Sequence, residues 1–133
     1  MITETLIGNV GRAMREDPES RLAIRYATFA SLIEIGDEQL LVRARDGELS
    51  FVKDPTTDEP WDFAVRGAKA AWETYRRSPT PTSNHPLSMA YQGHMSISGK
   101  TPNLFRFEGN YQKLFANIAP LCAILEQFRR ARA

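Results

Sequence analysis

The sequence predicts a single α+β domain over residues 1–133, in which an antiparallel sheet of about five or six strands is covered by helices. Two patterns predict this class. Segments with the three- and four-residue spacing of amphipathic helices lie towards both ends of the chain, and the segments between them alternate with the period of two that is typical of strands. Of the 133 residues, 42% are hydrophobic and 25% are charged. This composition suffices for one core and argues against disorder.

Two helices are predicted in the N-terminal part. Residues 4–16 are compatible with the first, and Asp17-Pro18-Glu19 then supplies an N-cap, a proline at the first helical position and an acid in the first turn. We expect the second helix to run over residues 18–30, because apolar residues recur there at helical spacing. That apolar stripe comprises Leu22, Tyr26, Phe29 and Ala30.

The middle of the chain has the pattern of an antiparallel meander. Gly36-Asp37 and Asp46-Gly47 are turn signals between the first three strands. The predicted strands comprise residues 31–35, 39–45, 48–52 and 61–66. In the fourth strand the alternation assigns side chains to two faces. One face carries Trp61, Phe63 and Val65, and the other carries Asp62, Ala64 and Arg66.

The second half of the chain is predicted to contain a short helix, a loop and two further strands. Residues 68–77 favour the helix. The prolines of residues 78–86 exclude regular structure, which indicates a surface loop. Residues 87–98 alternate with a change of phase at Gly93, as a bulged strand would, and residues 104–108 form the last short strand.

The clearest helical pattern lies near the C-terminus. Gly109-Asn110 opens this helix, and Pro120 should kink it or split it in two. Its apolar stripe continues for four turns, so we expect one face to pack on the core. The stripe comprises Leu114, Phe115, Ile118, Leu121, Cys122, Leu125 and Phe128.

The order of these elements resembles the sterol carrier protein 2 (SCP2-like) family. The last third carries the resemblance, with the strand Leu104-Phe-Arg-Phe-Glu108, the pair Gly109-Asn110 and the apolar helix from Tyr111 through Leu125. The strand at 62–66 and the following helix are also similar to the family's pattern, and the resemblance covers about residues 17–130. It implies an apolar cavity between sheet and helices, able to hold a sterol, a fatty acyl chain or another hydrophobic small molecule.

Our main hypothesis is therefore a carrier or accessory protein that binds an apolar or aromatic, lipid-like molecule and needs no cofactor. The candidate ligand contacts are large apolar side chains, although core packing alone would predict nearly the same set. Trp72 and Tyr91 rank first, because each joins a large apolar body to a polar atom. The full set comprises Trp61, Trp72, Tyr75, Met89, Tyr91, Phe105, Phe107 and Phe115.

An alternative hypothesis is a cofactor-independent lyase, isomerase or cyclase that acts by proton transfer on a hydrophobic substrate in the same cavity. His94 or Asp62 would move the proton, and Tyr91 or Arg66 would stabilise an oxyanion. Asp62 and Arg66 either pair with each other in solvent or point into the cavity, and only the second arrangement would signal a site. Cys122 is assigned to core packing, because it lies on an apolar stripe.

Motifs and charge argue against several other functions. The sequence has no metal-site, phosphate-loop, dinucleotide or catalytic-triad signature. The 17 basic and 16 acidic residues give a net charge of +1, which argues against a nucleic-acid partner, and no segment approaches the ~20 apolar residues of a membrane span. The single cysteine favours a reducing compartment, so we expect a cytoplasmic protein. A homodimer formed through the last helix and its arginine-rich end is a third possibility.

Overall fold

The computed structural model describes residues 1–77 and 105–131, and every structural statement below concerns those ranges. Within them the chain forms five helices and five strands. Helices α1 to α5 comprise Glu4–Glu16, Pro18–Ile24, Lys69–Arg77, Tyr111–Ala116 and Ile118–Arg130. Strands β1 to β5 comprise Thr28–Ile35, Glu38–Arg45, Glu48–Lys53, Phe63–Gly67 and Arg106–Gly109. The loop expected at 78–86 and the strand expected at 87–98 lie outside the described residues.

The five strands form one mixed sheet in the order β3-β2-β1-β4-β5. Three of the four strand pairs are antiparallel, as expected, and the α+β class is confirmed. The pair β1–β4 is parallel. This parallel pair differs from the predicted antiparallel sheet, because β4 joins the sheet beside β1 after a crossover from the edge strand β3. The alternation of a strand gives no information about which strand becomes its neighbour.

The predicted meander is present as two tight hairpins. In the turn between β2 and β3, Asp46 and Gly47 adopt positive φ angles of 51° and 83°. Positive φ at both central residues is the geometry that matches the twist of a hairpin, and a glycine reaches it without steric cost. The two residues that the sequence indicated as a turn therefore fix the register of β2 against β3.

The N-terminal helices begin where the sequence predicts. The Asp17 carboxylate accepts a hydrogen bond from the backbone N–H of Ser20 at 3.2 Å, and Pro18 occupies the first turn of α2. The predicted extent of this helix to residue 30 is wrong, because α2 ends at Ile24 and Phe29 already pairs with β2. Two residues of its predicted apolar stripe are 70% and 82% exposed, namely Leu22 and Tyr26.

The C-terminal helical region is split in two, as Pro120 predicts. The α4 helix starts at the N-cap Asn110, whose side chain accepts from Lys113 N at 3.0 Å. The break falls at Asn117, so Pro120 lies in the first turn of α5, where its missing N–H leaves no intrahelical hydrogen bond unmade.

The helices pack on one face of the sheet and form the core with it. We call the apolar space between this face and the helices the sheet–helix interior. On the sheet side it is lined by Phe29, Ile33, Ile35, Leu40, Val42, Ala44, Phe63 and Val65. On the helix side the largest buried residues are Leu6, Met14, Trp72, Tyr75, Leu114, Leu121 and Ile124.

The opposite face of the sheet, which we call the outer face, is buried at its centre. Leu32 pairs with Leu41 on one side and with Ala64 on the other, and all three are buried. The chain between β3 and β4 must cross β2 and β1 to reach its place in the sheet. Because Arg43 of this face pairs with Glu59 of that connection at 3.6 Å, the crossover lies on the outer face.

Candidate functional site

Three of the predicted ligand contacts meet in the sheet–helix interior. Trp72 and Phe105 lie edge to face with their ring centroids 4.7 Å apart, and Tyr75 lies 6.3 Å from Trp72 and 6.4 Å from Phe105. All three side chains are buried. Edge-to-face pairs of this kind add to the stabilisation that burial itself provides. Helix α3 and the segment before β5 thus contribute an aromatic wall, which we call the aromatic cluster.

The aromatic cluster rests on a glycine of β4. A Cβ atom at Gly67 would lie 2.8 Å from Cδ1 of Phe105 and 2.9 Å from Nε1 of Trp72. Real side chains essentially never approach this closely, so the position accepts only glycine without displacing an aromatic ring. The end of β4 at Gly67 therefore determines how closely the aromatic cluster packs against the sheet.

The aromatic cluster has two polar groups, the indole N–H of Trp72 and the phenol of Tyr75. The indole N–H of Trp72 donates to the backbone carbonyl of Glu34 at 2.9 Å, which binds α3 to β1. Burial raises the pKa of the Tyr75 phenol, and the negative charge of Glu126 raises it further. The phenol is therefore protonated at neutral pH.

The other candidate ligand contacts do not join this cluster. Phe107 is partly buried against the core, and Phe115 is 66% exposed on α4. The Arg66 guanidinium carbon lies 5.7 Å from the centroid of the Trp61 ring. The prediction that Trp61 shares a face with Phe63 and Val65 is wrong, because those two residues belong to the core and Trp61 does not. Trp61 precedes β4, so the alternation of that strand does not determine its direction. Met89 and Tyr91 lie outside the described residues.

Asp62 binds backbone groups and a lysine. Its carboxylate accepts from Ala30 N at 2.8 Å and lies 3.5 Å from the Lys113 ammonium. Its backbone carbonyl accepts from Asn110 N at 2.8 Å. Asp62 therefore joins the start of β1 to the start of α4, and the carboxylate has a structural partner on each side.

Arg66 lies on the outer face, where it bridges two acids. Its guanidinium is 3.1 Å from Glu34 and 2.8 Å from Glu108. Desolvation acts to lower the pKa of Arg66, but the hydrogen bonds to these two carboxylates outweigh it and raise the pKa. Of the two predicted arrangements, neither occurs, because Asp62 and Arg66 bind different partners and neither enters the sheet–helix interior.

The other residues considered for chemistry are His94, Tyr91 and Cys122. His94 and Tyr91 lie outside the described residues. Cys122 is partly buried on α5, and burial raises the pKa of its thiol, which disfavours the nucleophilic thiolate. Residues 1–77 and 105–131 contain no cluster of three histidine, cysteine or acidic side chains that could hold a metal ion. No helix in those ranges is long and apolar enough to cross a bilayer.

An open cleft of about 520 Å³ lies at the surface beside α3. Its walls include Met1, Glu73, Arg76 and Arg77. Three of these four residues carry charged side chains.

Sequence analysis did not single out Ser31, the polar residue of β1 that faces the sheet–helix interior. Its neighbours two positions away, Phe29 and Ile33, and its cross-strand partners, Val42 and Phe63, all belong to the core. A serine within a run of otherwise apolar positions on a strand was the available signal.

Several solved structures have a similar fold. A crystal structure of sterol carrier protein 2 superposes with a TM-score of 0.68 and 14% sequence identity, over 98% of each chain. The chain has an SCP2-like fold. A hypothetical protein of Thermus thermophilus, named as a candidate sterol carrier protein, gives a TM-score of 0.67 at 15% identity, over 98% of this chain and 88% of that one.

A third structure with this SCP2-like fold is UbiJ-SCP2, a ubiquinone synthesis protein. It gives a TM-score of 0.58 at 11% identity and covers 100% of this chain and 99% of its own. No family model matches the sequence, and no curated protein matches it. The SCP2-like resemblance of the sequence is therefore confirmed at the level of the fold.

Proposed function

We propose that this SCP2-like domain binds a lipid-like small molecule between its sheet and its helices, as a carrier or accessory protein. The observation that carries the proposal is the apolar lining on both sides of the sheet–helix interior, in a fold whose solved relatives include sterol carrier protein 2. Ligand sites of this kind are mostly apolar, with few polar groups.

The aromatic cluster is the proposed contact surface for the guest. Trp72, Tyr75 and Phe105 offer flat apolar rings at the junction of α3 with the sheet. Large rigid rings of this kind provide contact area without the entropy loss of long flexible side chains. Phe107 borders the same core and extends the proposed surface along β5.

Helix α5 is the element that has to yield when a guest enters. It packs against α1, α2 and α3 and contributes Leu121, Ile124, Leu125 and Phe128 to the core. Filling a closely packed interior with an additional molecule requires the layers to separate, since packed cores hold few voids. The proposal therefore includes a shift of the helical layer against the sheet on binding.

The two tryptophans supply a direct test, because they lie on opposite sides of the sheet. Trp72 belongs to the sheet–helix interior, whereas Trp61 lies beside Arg66. The variants Trp61→Phe and Trp72→Phe each leave one emitter. A dibrominated stearyl alcohol, whose bromines quench at contact, is titrated into each variant.

Saturable quenching of Trp72 with little quenching of Trp61 is the expected result. Equal quenching of both tryptophans would indicate binding elsewhere on the surface, and absence of quenching in both would contradict ligand binding. Near-ultraviolet circular dichroism of the two variants serves as the control for their packing.

A further inference from the structure

The sheet side of the sheet–helix interior contains one buried polar side chain among the described residues, that of Ser31. Ser31 occupies the row Val42–Ser31–Phe63, formed by β2, β1 and β4. Beside it the rings of Phe29 and Phe63 stack with their centroids 5.4 Å apart. The serine side chain is shorter than those of Val42 and Phe63 on either side of it.

The Ser31 hydroxyl is buried and makes no hydrogen bond. The residue is 1% exposed, and within residues 1–77 and 105–131 no atom donates to its Oγ or accepts from it. The other buried polar residues of these ranges behave differently, since Gln127 donates to Ser20 Oγ at 3.2 Å and Ser20 donates to Asp17 at 2.6 Å. A buried hydroxyl that has lost water without gaining a partner needs an explanation.

The surroundings of this hydroxyl define the chemistry of a partner. The described core contains no buried charged residue. By the strand register the charged residues closest to Ser31 are Arg43, which pairs with Ala30, and Asp62, whose carboxylate accepts from Ala30 N at 2.8 Å. Each is already paired, Arg43 with Glu59 at 3.6 Å and Asp62 with Lys113 at 3.5 Å. An ionised headgroup would therefore enter the interior without a counter-charge, which is strongly unfavourable.

We propose that the Ser31 hydroxyl binds the polar end of an uncharged lipid that carries a hydroxyl or carbonyl oxygen. This inference rests on the proposed function, and it names the ligand class. The lipid oxygen would supply the hydrogen bond that Ser31 lacks, and the lipid chain would lie along Phe29, Phe63 and the aromatic cluster. A fatty acid in its ionised form would be disfavoured.

Three probes with the same twelve-carbon chain test the proposal. Dodecanol carries a hydroxyl group, and dodecanoate carries a negative charge at neutral pH. Chlorododecane carries a chlorine atom, which is only a weak hydrogen-bond acceptor. The affinity of each probe is measured by its displacement of a fluorescent lipid from wild-type protein, from Ser31→Ala and from Ser31→Cys. Ser50→Ala, at an exposed serine of β3, is the matched control.

Relative to Ser31→Ala, wild-type protein should favour dodecanol over chlorododecane by about tenfold, equivalent to about 1.4 kcal/mol. This comparison cancels the different hydration of the two probes. Dodecanoate should bind to wild-type protein most weakly. Ser31→Ala and Ser31→Cys should each remove most of the preference for dodecanol and leave chlorododecane binding within about twofold of wild type. Ser50→Ala should retain the wild-type preference.

The outcomes separate this inference from the proposed function. The same ratio of dodecanol to chlorododecane affinity in wild-type protein and in Ser31→Ala would overturn the role of Ser31 and leave lipid binding intact. Failure of the wild-type protein to bind any of the three probes would overturn both. Ser31→Cys, which keeps a side chain of similar size, supplies the same comparison if Ser31→Ala does not fold.

Discussion

The indole N–H of Trp72 and the backbone carbonyl of Glu34 are 2.9 Å apart and form a hydrogen bond between helix α3 and the central strand β1. The Glu34 carboxylate, on the other side of the same strand, binds Arg66 at 3.1 Å. A single residue of β1 therefore contacts the aromatic cluster through its backbone and the outer face through its side chain. Substitution of Trp72 or of Arg66 should therefore lower the stability of the sheet.

Replacement of Trp72 by phenylalanine should lower the free energy of unfolding by about 2 kcal/mol, because the hydrogen bond is lost and the smaller ring leaves unfilled space. Urea denaturation followed by circular dichroism measures this change. Trp61→Phe is the matched control, since Trp61 is only partly buried, and it should cost less than about 1 kcal/mol. Similar losses in both variants would contradict the special position of Trp72.

Replacement of Gly67 by alanine should destabilise the protein by about 1 to 3 kcal/mol, because the added methyl group overlaps Phe105 and Trp72. The change should also alter the near-ultraviolet circular dichroism of the aromatic cluster. Gly8 on α1 provides the control, because no atom lies within 4 Å of a Cβ there. Gly8→Ala should stabilise the helix by about 0.5 to 1 kcal/mol, and a loss of stability there would contradict this account.

Replacement of Ser31 by alanine should raise the free energy of unfolding of the ligand-free protein by up to about 1 kcal/mol. The substitution removes a buried hydroxyl that has no partner in the described structure, so less polar surface has to leave water on folding. Thermal and urea unfolding both measure the effect. A clear destabilisation would indicate instead that Ser31 has a structural role in the unliganded fold.

Acid should weaken the last turns of α5 through Glu126. The hydrogen bond from Arg129 lowers the pKa of the Glu126 carboxyl, and the charges of Arg129 and Arg130 lower it further. Because the pKa in the folded state is below its unfolded value of about 4.3, this stabilisation is present above that pH and is lost as the pH falls through the folded pKa. The contribution should be about 0.5 kcal/mol, since the pair is partly solvated.

The variant Glu126→Gln isolates this contribution. Wild-type protein should lose more stability than the variant between about pH 6 and pH 3, and the two should converge at the acid end of the range. Urea midpoints measured across that range provide the comparison. Parallel pH profiles of the two proteins would exclude a contribution from the Glu126–Arg129 pair.

The elements with local signals could be predicted from the sequence. Asp17 and Asn110 cap the helices that follow them, and Asp46-Gly47 forms the expected turn, because capping and turn geometry involve only a few neighbouring residues. Pro120 likewise marks the division between α4 and α5.

Features that depend on distant partners could not be predicted in the same way. Phe29 has helical spacing from Leu22 and Tyr26, yet pairing with β2 places it in a strand, where tertiary contacts override local propensity. Asp62 and Arg66 are close in sequence, but the groups that they bind belong to other elements of the fold.

The members of the aromatic cluster could each be predicted as ligand contacts from their size and apolar character. Their mutual contacts and their shared contact with Gly67 could not, because α3, β4 and the segment before β5 meet only in the folded chain. Ser31 was missed for a related reason, since its significance depends on the absence of a partner rather than on any motif.

The parallel pairing of β4 with β1 has a consequence for the order of folding. The meander of β1, β2 and β3 is contiguous in sequence and needs only short loop closures, whereas β4 has to bridge from the far edge strand and β5 joins still later. We therefore expect the first three strands to acquire protection from hydrogen exchange before β4 and β5 do. The sheet–helix interior would then be completed last, when the C-terminal helices dock on a sheet that already exists.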